Sequence, residues 1–299
     1  MVFLRVKRAG GRAYAYLVES RWDAAAGHPR QRVLAYLGRL DRARADAIPA
    51  RHRTPSVLRA LESQVVAERT RLRSGMADQR VRFVERLLAG DRPAARSLAR
   101  RTVREVGHEA FYSEILVPSL HEIGRRFADR QISISAEHLA TGIASAVLTE
   151  LNAAMKDPPP GSPEVVLCVP EGESHSLPLQ VAEGLLRRRG YRTLNVAGSA
   201  PTASVVEFVR PRRPVAVLIS VTMPDRLEPG RRLARRLLRE VPGLGVAIGG
   251  QGTSSLPTGS HLEGFDIVRE TVEEYLDGWP NAKNGRATSS VGRTAARRR

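Results

Sequence analysis

The sequence predicts an α/β protein with an all-α segment ahead of it: a four-helix bundle, then a doubly wound parallel sheet, with a small β module at the N-terminus. Three observations carry this. Between residues 163 and 279, short apolar runs alternate with amphipathic segments of helical period, the pattern of parallel strands joined by crossover helices. Between residues 78 and 157, apolar residues recur at helical spacing in four blocks separated by short polar or glycine breaks. The run Pro158-Pro159-Pro160-Gly161 divides the two patterns.

Residues 1–53 read as a basic, β-rich module. Leu4 and Val6 alternate with Arg5 and Lys7, Gly10-Gly11 is a hairpin signal, Tyr14, Tyr16 and Val18 share one face, and Gly27-His28-Pro29 turns into a third run at residues 32–37. Residues 54–77 read as a connecting helix. The bundle at 78–157 places helices at 81–88, 94–106, 111–127 and 136–155. Strands follow at 165–169, 193–196, 215–221, 245–248 and 265–268, with helices between them and a last helix reaching residue 276. Residues 280–299 are polar, end in Arg297-Arg298-Arg299 and read as a disordered basic tail.

The net charge of the 299 residues is +17, and it is uneven: +10 in residues 1–75, +1 in 76–279 and +6 in 280–299. A near-neutral body between two basic ends points to a polyanion, with nucleic acid the first candidate and a generally arginine-rich surface the bland alternative. No apolar run approaches the roughly 20 residues that a membrane span needs, and the first eight residues are too short and too charged for a signal peptide. A soluble, cytoplasmic protein without membrane contact is expected. Cys168 is the single cysteine, which excludes an intramolecular disulfide and a thiolate metal cluster.

The candidate site lies on the strand-to-helix loops. Glu173-Ser174-His175 follows the first strand of the α/β segment, Ser220-Val221-Thr222 follows the third, and Gly249-Gly250 closes the fourth. In an open parallel sheet these loops share the carboxyl edge, where ligands bind. Imidazole suits a transition metal, and a carboxylate behind it fixes its tautomer. Taken alone, a single histidine on a polar loop carries little.

The rest of the chain adds context. Leu116-Val117-Pro118-Ser119-Leu120-His121-Glu122-Ile123-Gly124, then Phe127, nine residues, and Glu137-His138, resembles the helical cap preceding the cobalamin-binding domain in methionine synthase and in CarH-type light-dependent repressors. The three loop elements resemble that family's signature in the same order. The resemblance implies a flavodoxin-like, Rossmann-like cobalamin-binding domain at 163–279. His175 would be the cobalt ligand below the corrin, with Glu173 behind it. Ser220, Thr222, Gly249 and Gly250 would line the channel for the nucleotide tail, and Phe127, Glu137 and His138 would belong to the cap. The cofactor would be adenosylcobalamin or methylcobalamin. Departures are Phe127 for the usual Trp, Glu173 for Asp, Thr222 for Leu, and Pro178 for the Gly three residues after the histidine, where its ring crowds the tail's entrance.

Residues 29–41 resemble a stretch near the N-terminus of some insertion-element transposases. No helix-turn-helix pattern is legible. The resulting expectation is a non-catalytic cobalamin sensor and transcription regulator, a photoreceptor in the CarH manner. Its cofactor state would control DNA binding by the basic module and tail, together with homo-oligomerisation. Two alternatives stay open: a corrinoid methyl carrier serving methyltransferases, and a sensory module whose ligand site has decayed, Pro178 being the main residue in its favour. No independent catalytic constellation is present at motif spacing.

Overall fold

Alternation of period two in the first forty residues produces the first sheet. The computed structural model describes residues 1–24, 27–196, 198–256, 261–262, 264–268 and 275–276, in two units, Met1–Ile132 and Ser133–Arg299. In the first unit, β1 (Val2–Ala9), β2 (Arg12–Asp23) and β3 (His28–Arg39) form an antiparallel sheet in the order β1-β2-β3. Gly10 and Gly11 both take positive φ, as the type I′ form of a two-residue hairpin requires of its central pair. Ala13, Ala15, Leu17 and Leu37 form one face and pack on Val57, Leu61 and Val65 of the following helix.

That helix, α1 (Pro55–Leu88), begins at Thr54, whose hydroxyl caps the Val57 amide, with proline in the first turn. It runs through 34 residues without interruption. It is one helix where the sequence suggested two segments: Gly75 costs only about 1 kcal/mol in its interior, and residues toward both ends are buried. Its N-terminal half packs on the sheet; at the other end Phe83 meets Phe111 edge-on, ring centroids 5.6 Å apart.

Charge fastens sheet to helices. Glu68 of α1 is buried and takes bidentate pairs from Arg8 of β1, at 3.2 and 2.7 Å, and from Arg71, at 3.0 and 2.7 Å. The Arg71 hydrogen bonds, opposed by burial and aided by Arg8, hold its carboxyl at a pKa of about 2. Arg12, at the hairpin tip, donates to the carbonyls of Arg104 and Glu105 at the end of α2 (Arg92–Val106), satisfying acceptors that a helix C-terminus leaves open. The chain continues as α3 (His108–Phe111), a π turn at Tyr112–Leu116, and α4 (Val117–Ala128). The wide turn precedes Pro118, whose ring would otherwise press on the carbonyl four residues back.

The fourth predicted helix, α5 (Ile134–Ala153), is capped by Ser133 and falls in the second unit. Its partner is α6 (Leu177–Arg188): Gln180 donates to the Ser145 hydroxyl at 2.9 Å, the Asn152 amide donates to the Gln180 carbonyl at 2.8 Å, and Arg187 donates to the Asn152 carbonyl at 2.8 Å.

The second unit contains β4 (Glu164–Cys168), β5 (Arg192–Val196), β6 (Ala216–Ser220), β7 (Gly245–Gly249), β8 (His261–Leu262) and β9 (Phe265–Val268), with α7 (Thr202–Arg212) and α8 (Leu227–Glu240). The order is β5-β4-β6-β7-β9-β8. The four pairs β5-β4, β4-β6, β6-β7 and β7-β9 are parallel as expected, and the two-residue edge strand β8 is antiparallel to β9. That edge strand was not anticipated; two residues carry no periodicity. Val205, Val206 and Val209 of α7 and Leu233, Ala234 and Leu237 of α8 bury one face of the sheet over Val166, Val217, Ile219 and Ile248. Cys168 lies in this core, and burial pushes its thiol up to about 12. The chain order reverses between β4 and β6, which is where such sheets open a crevice at their carboxyl edge. Most of the predicted last helix and the basic tail at 280–299 lie outside the described residues. No described helix is long and apolar enough to cross a membrane.

Candidate functional site

The loops leaving β4 and β6, on either side of the reversal, meet on one carboxylate. Glu173 is buried, its side chain 0 % exposed. Its Oε1 accepts from the backbone amides of Ser174 and His175, both at 3.0 Å, and from His175 Nδ1 at 2.6 Å. Its Oε2 accepts from the amides of Thr222 and Met223, both at 2.9 Å. Burial works to raise the pKa of this carboxyl; the donors from Met223, His175 and Thr222 outweigh it and hold the group below the usual carboxylate range.

An ionised carboxylate only accepts, so Nδ1 is the donor, and in the neutral ring it is Nε2 that carries the lone pair. The imidazole is 49 % exposed, so Nε2 is open to a ligand. Among the described residues, no three His, Cys, Asp or Glu side chains gather as a metal site. A lone oriented imidazole suits a metal that arrives inside a cofactor supplying its other ligands.

The loop is shaped from several sides. Gly172 takes φ +83°, and its amide donates to Ser199 Oγ at 2.6 Å, joining the loops after β4 and β5. A Cβ at Gly172 would lie 2.5 Å from the Arg226 guanidinium, so that arginine lies against the loop. Ser220 ends β6 opposite Gly249 and is buried. Thr222 Oγ1 is buried and has no hydrogen-bond partner. A hydroxyl left so at a ligand edge fits a cofactor that brings a polar group to it. Pro178 sits exposed in the first turn of α6, where no amide hydrogen is needed.

The glycine pair has a reason the sequence did not show. At Gly250, φ +108°, a Cβ would come within 2.3 Å of the Val221 carbonyl oxygen, and at Gly249 within 3.1 Å of Val268 Cβ. The chain's own packing excludes a side chain at Gly250 and is tight at Gly249, a constraint separate from the room for a cofactor tail that the resemblance implies.

Phe127 is partly exposed in the last turn of α4, in the first unit; Glu137 and His138 lie in the first turn of α5, in the second. Within that turn His138 Nδ1 meets Glu137 Oε2 at 2.6 Å, and Thr141 donates to Glu137 Oε1 at 2.8 Å. Sequence reasoning missed Met223, Ser199 and Arg226, all held through backbone or loop contacts that leave no spacing signal.

Residues 163–278 match a family model described as B12 binding domain, residues 80–152 match a second model of the same description, and residues 4–65 match the IS1634 family transposase, N-terminal domain. The HTH-type transcriptional repressor CarA of Myxococcus xanthus is 27 % identical over 188 residues, covering 62 % of this chain and 61 % of the relative. The chain therefore spans about three fifths of that relative's length. The structure of the Methanosarcina barkeri monomethylamine corrinoid protein has the same fold, with a TM-score of 0.54 at 17 % identity over 64 % of this chain and 92 % of that one.

Proposed function

We propose that this chain, a cobalamin-binding-domain protein with a helical cap, is a regulator in which the state of the cobalamin controls nucleic-acid binding by residues 1–53. His175 is read as the protein's ligand to cobalt, its lone pair turned outward by the buried Glu173. Thr222 Oγ1 and Ser220 are read as the polar groups at the tail channel, with Phe127, Glu137 and His138 in the cap. When bound, cobalamin supplies a cobalt-carbon bond that can be made and broken. The chain's own residues orient the imidazole and keep Glu173 from carrying the proton that Nδ1 needs.

The observation that carries the regulatory reading is the docking of the basic sheet on the cap helices. Arg8 and Arg71 clamp Glu68, and Arg12 grips the end of α2, so sheet, α1 and α2 belong to one unit. A repack of the cap on a change of cofactor is then felt by the sheet. The match to a transposase N-terminal domain and the likeness to a transcriptional repressor support DNA as the polyanion.

The test is a filter-binding assay of the full chain on DNA, with and without adenosylcobalamin, in the dark and after illumination. A cofactor-dependent change in the salt-dependent affinity is expected; identical affinity in every state overturns the reading. The second reading, a corrinoid methyl carrier, draws on the shared fold with a corrinoid protein. It leaves the basic sheet without a role, and methyl transfer from the methylcobalamin-loaded chain to an acceptor methyltransferase would favour it.

A further inference from the structure

The three-stranded sheet buries one face and leaves the other to solvent. Successive side chains of a strand alternate between faces, and directly paired residues share one. Arg5 pairs with Tyr16 and Tyr16 with Tyr36; Lys7 pairs with Tyr14. Ala13, Ala15 and Leu17 point inward, so Tyr14, Tyr16 and Trp22 of β2 point outward, beside Arg5 and Lys7 of β1 and Tyr36 of β3.

The tyrosines form a cluster, Tyr16 to Tyr36 at 5.1 Å and Tyr14 to Tyr36 at 6.4 Å between centroids, with the Lys7 ammonium 5.6 Å from the Tyr16 ring. Tyr36 is 57 % exposed and Trp22 69 %. Carboxylates are missing from this face among the described residues. The two acids of β2, Glu19 and Asp23, fall on the other parity, and each is paired with an arginine, Arg21 and Arg30. The hairpin tip reaches the end of α2, whose Arg92, Arg96, Arg100 and Arg104 recur every fourth residue along a groove of ≈ 520 Å³. Positive charge therefore continues beyond the sheet.

We infer that this outer face is a stacking platform for single-stranded DNA. Exposed aromatic rings offer flat apolar area to unpaired bases, and the flanking cations offer charge to the phosphates between them. A duplex hides its base faces in its own stack, so a flat ring cluster gains little from it; a duplex reader puts a helix or ribbon with hydrogen-bonding side chains into a groove. A protein partner would meet a face of one sign of charge with no carboxylate to complement its own cations. The inference rests on the proposed nucleic-acid role of residues 1–53 and specifies its ligand.

The test is fluorescence anisotropy of the full chain with a short mixed-sequence DNA strand, the same sequence as a duplex, and the same sequence as RNA. It compares the parent with Tyr36→Leu, Tyr36→Phe and Trp22→Leu, each checked for an unchanged circular dichroism spectrum. The DNA strand is expected to bind at least about tenfold tighter than the duplex. Tyr36→Leu should weaken strand binding about 5- to 100-fold, the loss of one stacked base, and Tyr36→Phe should retain it. Equal binding of strand and duplex, untouched by Tyr36→Leu, overturns the stacking inference and leaves the nucleic-acid reading standing. No binding of any nucleic acid overturns both. Preference for the RNA strand, or self-association that Tyr36→Leu abolishes without strand binding, overturns the assignment to DNA.

Discussion

Two Glu–His pairs in the second unit share one distance and little else. In both, a carboxylate oxygen stands 2.6 Å from a histidine Nδ1. Glu173 is fully buried and held by four backbone amides from two loops, so the imidazole it orients has a fixed base. Glu137 is 23 % exposed, beside a His138 that is 71 % exposed, and the Thr141 hydroxyl donates to its other oxygen. A short contact does not make an oriented ligand; what makes one is a carboxylate that cannot move when the imidazole is loaded.

Removing the two acids separates the pairs most strongly. Glu173→Ala leaves four amides in a buried loop junction without an acceptor, and a loss of about 3–5 kcal/mol in denaturant unfolding is expected. A loss below 1 kcal/mol would mean that the loops do not depend on this carboxylate. Glu137→Ala, by contrast, removes an acid near a helix N-terminus, and about 0.3–1 kcal/mol is expected.

A second buried acid sharpens the comparison, because Glu68 is held by arginines in place of amides. Its pKa is lowered from 4.5 to about 2, so its contribution is complete above the unfolded value and is lost as pH falls from about 4.5 toward 2. Glu68→Gln should cost about 2–3 kcal/mol at neutral pH. The gap between variant and parent should close in acid, as read by thermal melts across that window; a gap that stays constant to pH 2 contradicts the assignment.

Thr222 tests the other half of the site. Its hydroxyl is buried without a partner, so Thr222→Val should leave the cofactor-free protein as stable or raise its Tm by about 2–4 °C. The same change should weaken cobalamin binding. Unchanged affinity would remove this hydroxyl from the tail channel. The smallest effect is expected at His138→Ala, within about 0.5 kcal/mol of the parent in stability.

The alternation of strands and helices, the helical blocks and the N-terminal sheet were legible because each has a period that burial imposes on sequence. The His175 loop was legible because its residue types stand at fixed places along a strand-to-helix turn. What stayed hidden is held by atoms that sequence does not display. The amides of Thr222 and Met223 reach Glu173 across 49 and 50 positions and belong to no residue type. The reason for Gly250 is a carbonyl of Val221 across the turn. The continuity of α1 through Gly75 reflects packing at its two ends, which outweighs a local preference to break.

On the proposed reading, the buried carboxylate of Glu173 fits His175, and not His138, to be the cobalt ligand. The most direct test of this is the visible absorption spectrum of the protein after incubation with adenosylcobalamin and removal of free ligand, for the parent, His175→Ala and His138→Ala. Retained corrin absorbance in the parent, the same spectrum in His138→Ala, and a changed spectrum or lost binding in His175→Ala are expected. A colourless parent, or a His175→Ala spectrum indistinguishable from the parent's, would contradict it.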